Sequence, residues 1–137
     1  MIKAVIFDVD NTLIDFYRMK KISIYEAIDA MLDAGLEMEK EKAFKIIHEL
    51  FKEIGMESSN LYNKFSRKVY GKVNYKLVAE AVVAHKRVWS SLLHTYPGVI
   101  RTLIKLRQDG IKLGVVSDAP KFKAFERLSG MRIVDFF

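Results

Sequence analysis

The chain has 137 residues, half of them hydrophobic, with two prolines and no cysteine. That length can bury a core, and the composition excludes a disordered chain, disulfides and thiolate metal sites. The net charge is +6, but Lys20-Lys21 and the lysines from Lys40 to Lys45 are interspersed with Glu26, Glu37, Glu39 and Glu41. A solvated helix surface with some i,i+4 pairing is therefore expected. A basic polyanion-binding domain is the alternative, although nucleic acid is not the expected partner. No apolar run approaches the roughly 18 residues of a membrane span, and no membrane association is expected. Met1 to Phe7 is too short for a secretory signal, so a cytoplasmic location is the expectation.

The first predicted element is the β-branched run Ile2 to Phe7, which reads as a strand buried on both faces of a parallel sheet. It stops at Asp8-Val9-Asp10, followed by turn-forming Asn11 and then Thr12. Two carboxylates at i and i+2 on an extended chain point the same way. They repel unless a cation or a shared proton intervenes. Ligands of open α/β sheets sit outside the carboxyl ends of the strands, and both acids lie at that end.

A helical period follows. Ser23-Ile24-Tyr25-Glu26 has the form of a capping box, although a start near Tyr17 fits as well. Ile24, Ala27, Ile28, Met31 and Leu32 mark the apolar face, and Gly35 the stop. A second helix is predicted from about Glu39 to Ile54, with Ala43, Phe44, Ile47, Leu50, Phe51 and Ile54 inward. Ser58-Ser59-Asn60 is read as the cap of a third helix bearing Leu61, Tyr62, Phe65 and Val69, broken at 71–74. A fourth spans about Tyr75 to Leu93. No strand pattern interrupts residues 17–94, which read as a compact insertion of four helices.

Tyr96-Pro97-Gly98 opens a fifth helix with Val99, Ile100, Leu103, Ile104 and Leu106. The second strand, Ile111 to Val116, ends at Ser117-Asp118-Ala119-Pro120. Pro120 suits the first turn of a sixth helix, whose apolar residues are Phe122, Phe125 and Leu128. A helix cap is the alternative reading of Ser117-Asp118, and it is the preferred reading of Asp118. His48, His85 and His94 have no spacing to acids that suggests a metal site.

A strand ending in Asp8-x-Asp10-x-Thr12, then helices, then a Pro-Gly-initiated helix and a strand ending in Ser117 resembles the N-terminal half of a capped haloacid dehalogenase-like (HAD) hydrolase. The likeness runs the whole length of the chain. It implies an α/β fold: a Rossmann-like HAD core with a parallel sheet, from residues 1–16 plus 95–137, and a helical cap at 17–94. It also implies that Asp8 is the nucleophile, forming an aspartyl-phosphate. Asp10 would protonate the leaving oxygen and then take a proton from water. Thr12 and Ser117 would bind the phosphate. Mg²⁺ would be held by Asp8 and by Asp10 through its backbone carbonyl. An acid at position 10 resembles the phosphoryl-transfer branch and not the enzymes that cleave carbon–halogen bonds. The implied substrate is a small phosphorylated metabolite.

The family pattern continues with a Lys or Arg after a third strand and with further acids after a fourth, none of them in this chain. Lys121 is not at the family position. Two apolar strands alone leave bare edges. The expectation is an N-terminal fragment whose sheet is incomplete, so that it forms a homo-oligomer or swaps elements. A catalytically incomplete scaffold module is the other alternative.

Overall fold

The computed structural model describes residues 1–55 and 57–137. Among these, the order is β1 (Ala4–Phe7), α1 (Phe16–Asp33), α2 (Lys40–Ile54), α3 (Leu61–Tyr70), α4 (Tyr75–Ser91), α5 (Val99–Gln108), β2 (Lys112–Val115), α6 (Lys121–Gly130) and a short 3₁₀ turn, Val134–Phe136. The chain divides into two compact units, residues 1–19 with 92–137, and residues 20–91.

In the first unit, β1 and β2 pair in parallel, with Ala4 opposite Lys112 and Phe7 opposite Val115. A parallel pair needs a long crossover, and α5 leads directly into β2 here. Gly98, in the left-handed region at φ 86°, begins α5, where a Cβ would be strained. The sheet is not buried on both faces as the apolar runs imply. Ile2, Ile6 and Val116 are exposed, because the sheet has only these two strands among the described residues. α5 likewise buries Leu103 but exposes Ile100 and Ile104. The rings of Phe7 and Phe137 meet edge to face, with centroids 6.1 Å apart.

The second unit has a core of its own. Ile24, Ala27, Ile28 and Met31 of α1 pack with Ala43, Ile47, Leu50 and Phe51 of α2. Leu61, Tyr62 and Phe65 of α3, and Leu77 and Ala81 of α4, complete it. These are i, i+3, i+4, i+7 stripes, the period that one buried helix face imposes. Gly71 closes α3 with a left-handed φ of 73°, its N–H bonded to the Arg67 carbonyl.

Two local expectations are corrected. Ser23 does not open a helix; it lies inside α1, fully buried. The cap is Asp15, whose Oδ1 accepts the Arg18 N–H at 3.1 Å, a bond that satisfies one of the first-turn donors. Nor does Asp118 cap α6: the residue before that helix is Pro120, and no side chain caps it. Surface lysines that pair with acids include Lys40 with Asp29, Lys68 with Glu49, Lys105 with Asp109 and Lys123 with Glu126.

A polar cluster sits among the aromatic residues of this second unit. The Lys20 ammonium lies over the rings of Phe51 and Trp89, at 5.1 and 5.4 Å from their centroids. Trp89 stacks on His85, and His85 Nδ1 lies 2.7 Å from the Tyr62 hydroxyl. Burial, with the nearby charge of Lys20, pushes the His85 pKa down to about 4, and burial raises that of Tyr62 above the ordinary tyrosine range.

Candidate active site

The site begins where β1 ends. The Val116 N–H donates to the Phe7 carbonyl at 2.9 Å, the last bond of the ladder. Asp8 and Ser117 therefore leave the two strands at the same end of the sheet, the end at which parallel α/β sheets bind ligands. Asp8 is exposed, and its Oδ1 accepts the Val9 N–H at 2.8 Å. Val9 itself is fully buried and anchors the turn, accepting at its carbonyl from the Leu13 N–H at 2.9 Å and from Thr12 at 3.4 Å. Asn11 takes a left-handed φ of 58°, a conformation that Asn tolerates better than most residues. Its Oδ1 accepts the Tyr17 N–H at 3.1 Å. Thr12 is exposed on this turn.

Asp10 is not disposed like Asp8. Its Oδ2 accepts a 2.6 Å hydrogen bond from the Arg127 guanidinium. Arg127 is 1% exposed on α6, and its guanidinium carbon lies 4.4 Å from the centroid of the Phe16 ring. A buried guanidinium is tolerated when a carboxylate and an aromatic face receive it. Asp10 retains 22% side-chain exposure, and its Oδ1 is buried.

The Oγ of Ser117 accepts the Ala119 N–H at 3.1 Å. This uses a lone pair and leaves the hydroxyl proton available to an acceptor. A pocket of about 420 Å³ lies beside it, lined by Ser117, Lys121, Phe125, Leu128, Val134 and Phe137 among others, and by neither Asp8 nor Asp10. The start of α6 at Lys121 is an end that favours anions. Among the described residues no group of three or more His, Asp or Glu side chains gathers to hold a metal ion.

The sequence reading missed Arg127. Phe122 and Phe125 suggest one apolar face, yet both are exposed. The buried stripe is Ala124, Arg127, Leu128 and Met131. The same i, i+3, i+4, i+7 spacing was available in the sequence, and a cation on an otherwise apolar stripe signals an anionic partner.

Solved structures share this fold. A proposed beta-phosphoglucomutase from Thermotoga maritima superposes with a TM-score of 0.69 at 24% identity, over 99% of this chain and 59% of that one. A magnesium-bound HAD-type hydrolase from Bacillus subtilis gives 0.60 at 17% identity, over 99% and 62%. Strand pairing and element order define an α/β protein in which a run of helices separates two parallel strands. The family model for haloacid dehalogenase-like hydrolases matches residues 2–137, and the chain belongs to that family. Curated relatives include the glyceraldehyde 3-phosphate phosphatases of Methanopyrus kandleri, 38% identical, and Methanocaldococcus jannaschii, 34% identical. Both alignments cover all of this chain and 60% of the relative, so the chain spans about three fifths of their length.

Proposed function

We propose that this chain carries the nucleophile of a phosphatase acting on a small phosphorylated metabolite. The observation that carries the reading is the placement of Asp8, Asp10 and Ser117 at one end of a parallel strand pair. The names of the curated relatives point to a three-carbon sugar phosphate of the glyceraldehyde 3-phosphate kind. Residues 20–91 are read as the cap, where selectivity among such substrates would arise.

An oxygen of Asp8 attacks phosphorus as the bond to the leaving oxygen breaks, and Asp10 gives that oxygen its proton. Water then attacks the aspartyl-phosphate and loses a proton to Asp10, and the Asp8 carboxylate leaves, releasing inorganic phosphate. Thr12 and the Ser117 hydroxyl are assigned to the phosphoryl oxygens. The exposed Asp8 carboxylate and the Asp10 carbonyl are hard oxygen donors that fit Mg²⁺, a cation that commonly keeps several waters. When bound, Mg²⁺ supplies charge neutralisation at the phosphoryl group. The exposed Ile6, Val116, Phe122 and Phe125 are read as surface that a second copy covers. A monomeric mass by light scattering would remove that part of the reading.

The test is hydrolysis of an aryl phosphate by this chain, with and without Mg²⁺, beside Asp8→Asn. Mg²⁺-dependent turnover that falls at least about a thousandfold in Asp8→Asn is expected. No turnover by a folded sample would overturn activity for this chain alone.

A further inference from the structure

We propose that Arg127 is a positioning residue that holds the Asp10 carboxylate in one orientation at the strand end. The proposal rests on the reading of Asp10 as proton donor and acceptor. α6 and the turn after β1 are far apart in the chain, and this ion pair joins residues 117 positions apart in sequence.

Three observations separate positioning from a simple tether. The stripe that α6 buries is otherwise apolar, through Ala124, Leu128 and Met131. A Leu or Met would fill it without burying charge, so the guanidinium is there for its charge and shape. Its plane is constrained from a second side, because the Phe16 ring sits 4.4 Å from the guanidinium carbon. Finally, the bond is made at Oδ2 and Oδ1 is itself buried, while the side chain as a whole keeps 22% exposure, so the carboxylate is held in place at the edge of the site. Phe16 opens α1 and Asp15 caps it. The stacked arginine is thus set by the same turn that carries Asp8 and Asp10.

A misplaced catalytic group can cost about 100-fold in rate. Arg127→Gln is therefore expected to lower kcat on an aryl phosphate by about 100-fold with KM within about twofold. Arg127→Lys, which keeps the charge but loses the planar fork, is expected to recover most of this. Because Arg127 acts through Asp10, the double variant Asp10→Asn with Arg127→Gln should be no slower than Asp10→Asn alone. An unchanged kcat in Arg127→Gln, an equal effect on kcat and KM, or additive losses in the double variant would overturn the proposal.

A second readout needs no turnover. In chain labelled with ¹³C at aspartate carboxyls and assigned with Asp10→Asn, Asp10 should give one sharp line. The line should shift or broaden in Arg127→Gln and return in Arg127→Lys, with circular dichroism unchanged. A line that ignores Arg127→Gln would overturn the positioning role. Lack of turnover by the wild-type chain, with that line responding, would fault the activity reading alone. Should Arg127→Gln not fold, Arg127→Met, which matches the apolar stripe that α6 buries, takes its place with the same expected loss of kcat and the same shift of the Asp10 line. A wild-type kcat and an unmoved line in Arg127→Met would overturn the proposal.

Discussion

The Tyr62 hydroxyl lies 2.7 Å from His85 Nδ1, tying α3 to α4 inside the helical unit. The imidazole ring is half-buried between Tyr62 and Trp89, its centroid 5.8 and 5.7 Å from theirs. Burial and the charge of Lys20 hold its pKa down at about 4, against 6.5 for a free imidazole. Tyr62, pushed up by burial, stays protonated. Both members of the pair are thus neutral at pH 7.

This pair predicts a stability that falls with acid. The folded pKa lies below the unfolded one, so between pH 6.5 and 4 the unfolded chain binds the extra proton. Linkage then makes the contribution complete above about pH 6.5 and progressively lost toward pH 4. Unfolding by urea at pH 7 and pH 5 should differ by about 1 to 2 kcal/mol from this group. His85→Gln, which keeps a polar partner for Tyr62, should flatten that part of the profile. An unchanged slope in the variant would count against the assignment.

Ser23 is fully buried within α1, and its hydroxyl has no hydrogen-bond partner among the described residues. An unsatisfied buried hydroxyl is destabilising, and alanine is the better helix former. Ser23→Ala should therefore stabilise the chain by about 1 kcal/mol, read as a raised urea midpoint with the denaturant slope unchanged. A lower midpoint would mean that the hydroxyl is satisfied in solution.

Gly130 ends α6 against Leu93. A Cβ built at this glycine would collide with the Leu93 side chain at Cδ2 and crowd its Cγ. Helix propensity alone favours Gly130→Ala by up to about 1 kcal/mol. Overpacking opposes it by about 1 to 3 kcal/mol. The net expectation is a loss of stability, and Leu93→Ala combined with Gly130→Ala should cost less than the sum of the two changes. Additive losses in that double-mutant cycle would show that the two residues do not compete for the same space.

Much of this protein was determined by local sequence. Period and punctuation place the elements, because each depends on near neighbours: apolar spacing for α2 to α4, Gly71 for the end of α3, Pro97-Gly98 for the start of α5. The acids at the end of β1, and Ser117 at the end of β2, follow from where the apolar runs stop. Tertiary structure alone decided which apolar residues lie inside. Ile6, Ile100 and Phe125 belong to well-formed strands and helices yet stay exposed, since two strands cannot cover what a wider sheet would. It also decided that Ser23 is interior and that Asp15 caps α1. The partner of Asp10 was beyond any local reading. A buried charge is stable only where a counter-charge arrives, and Arg127 comes 117 positions later along the chain.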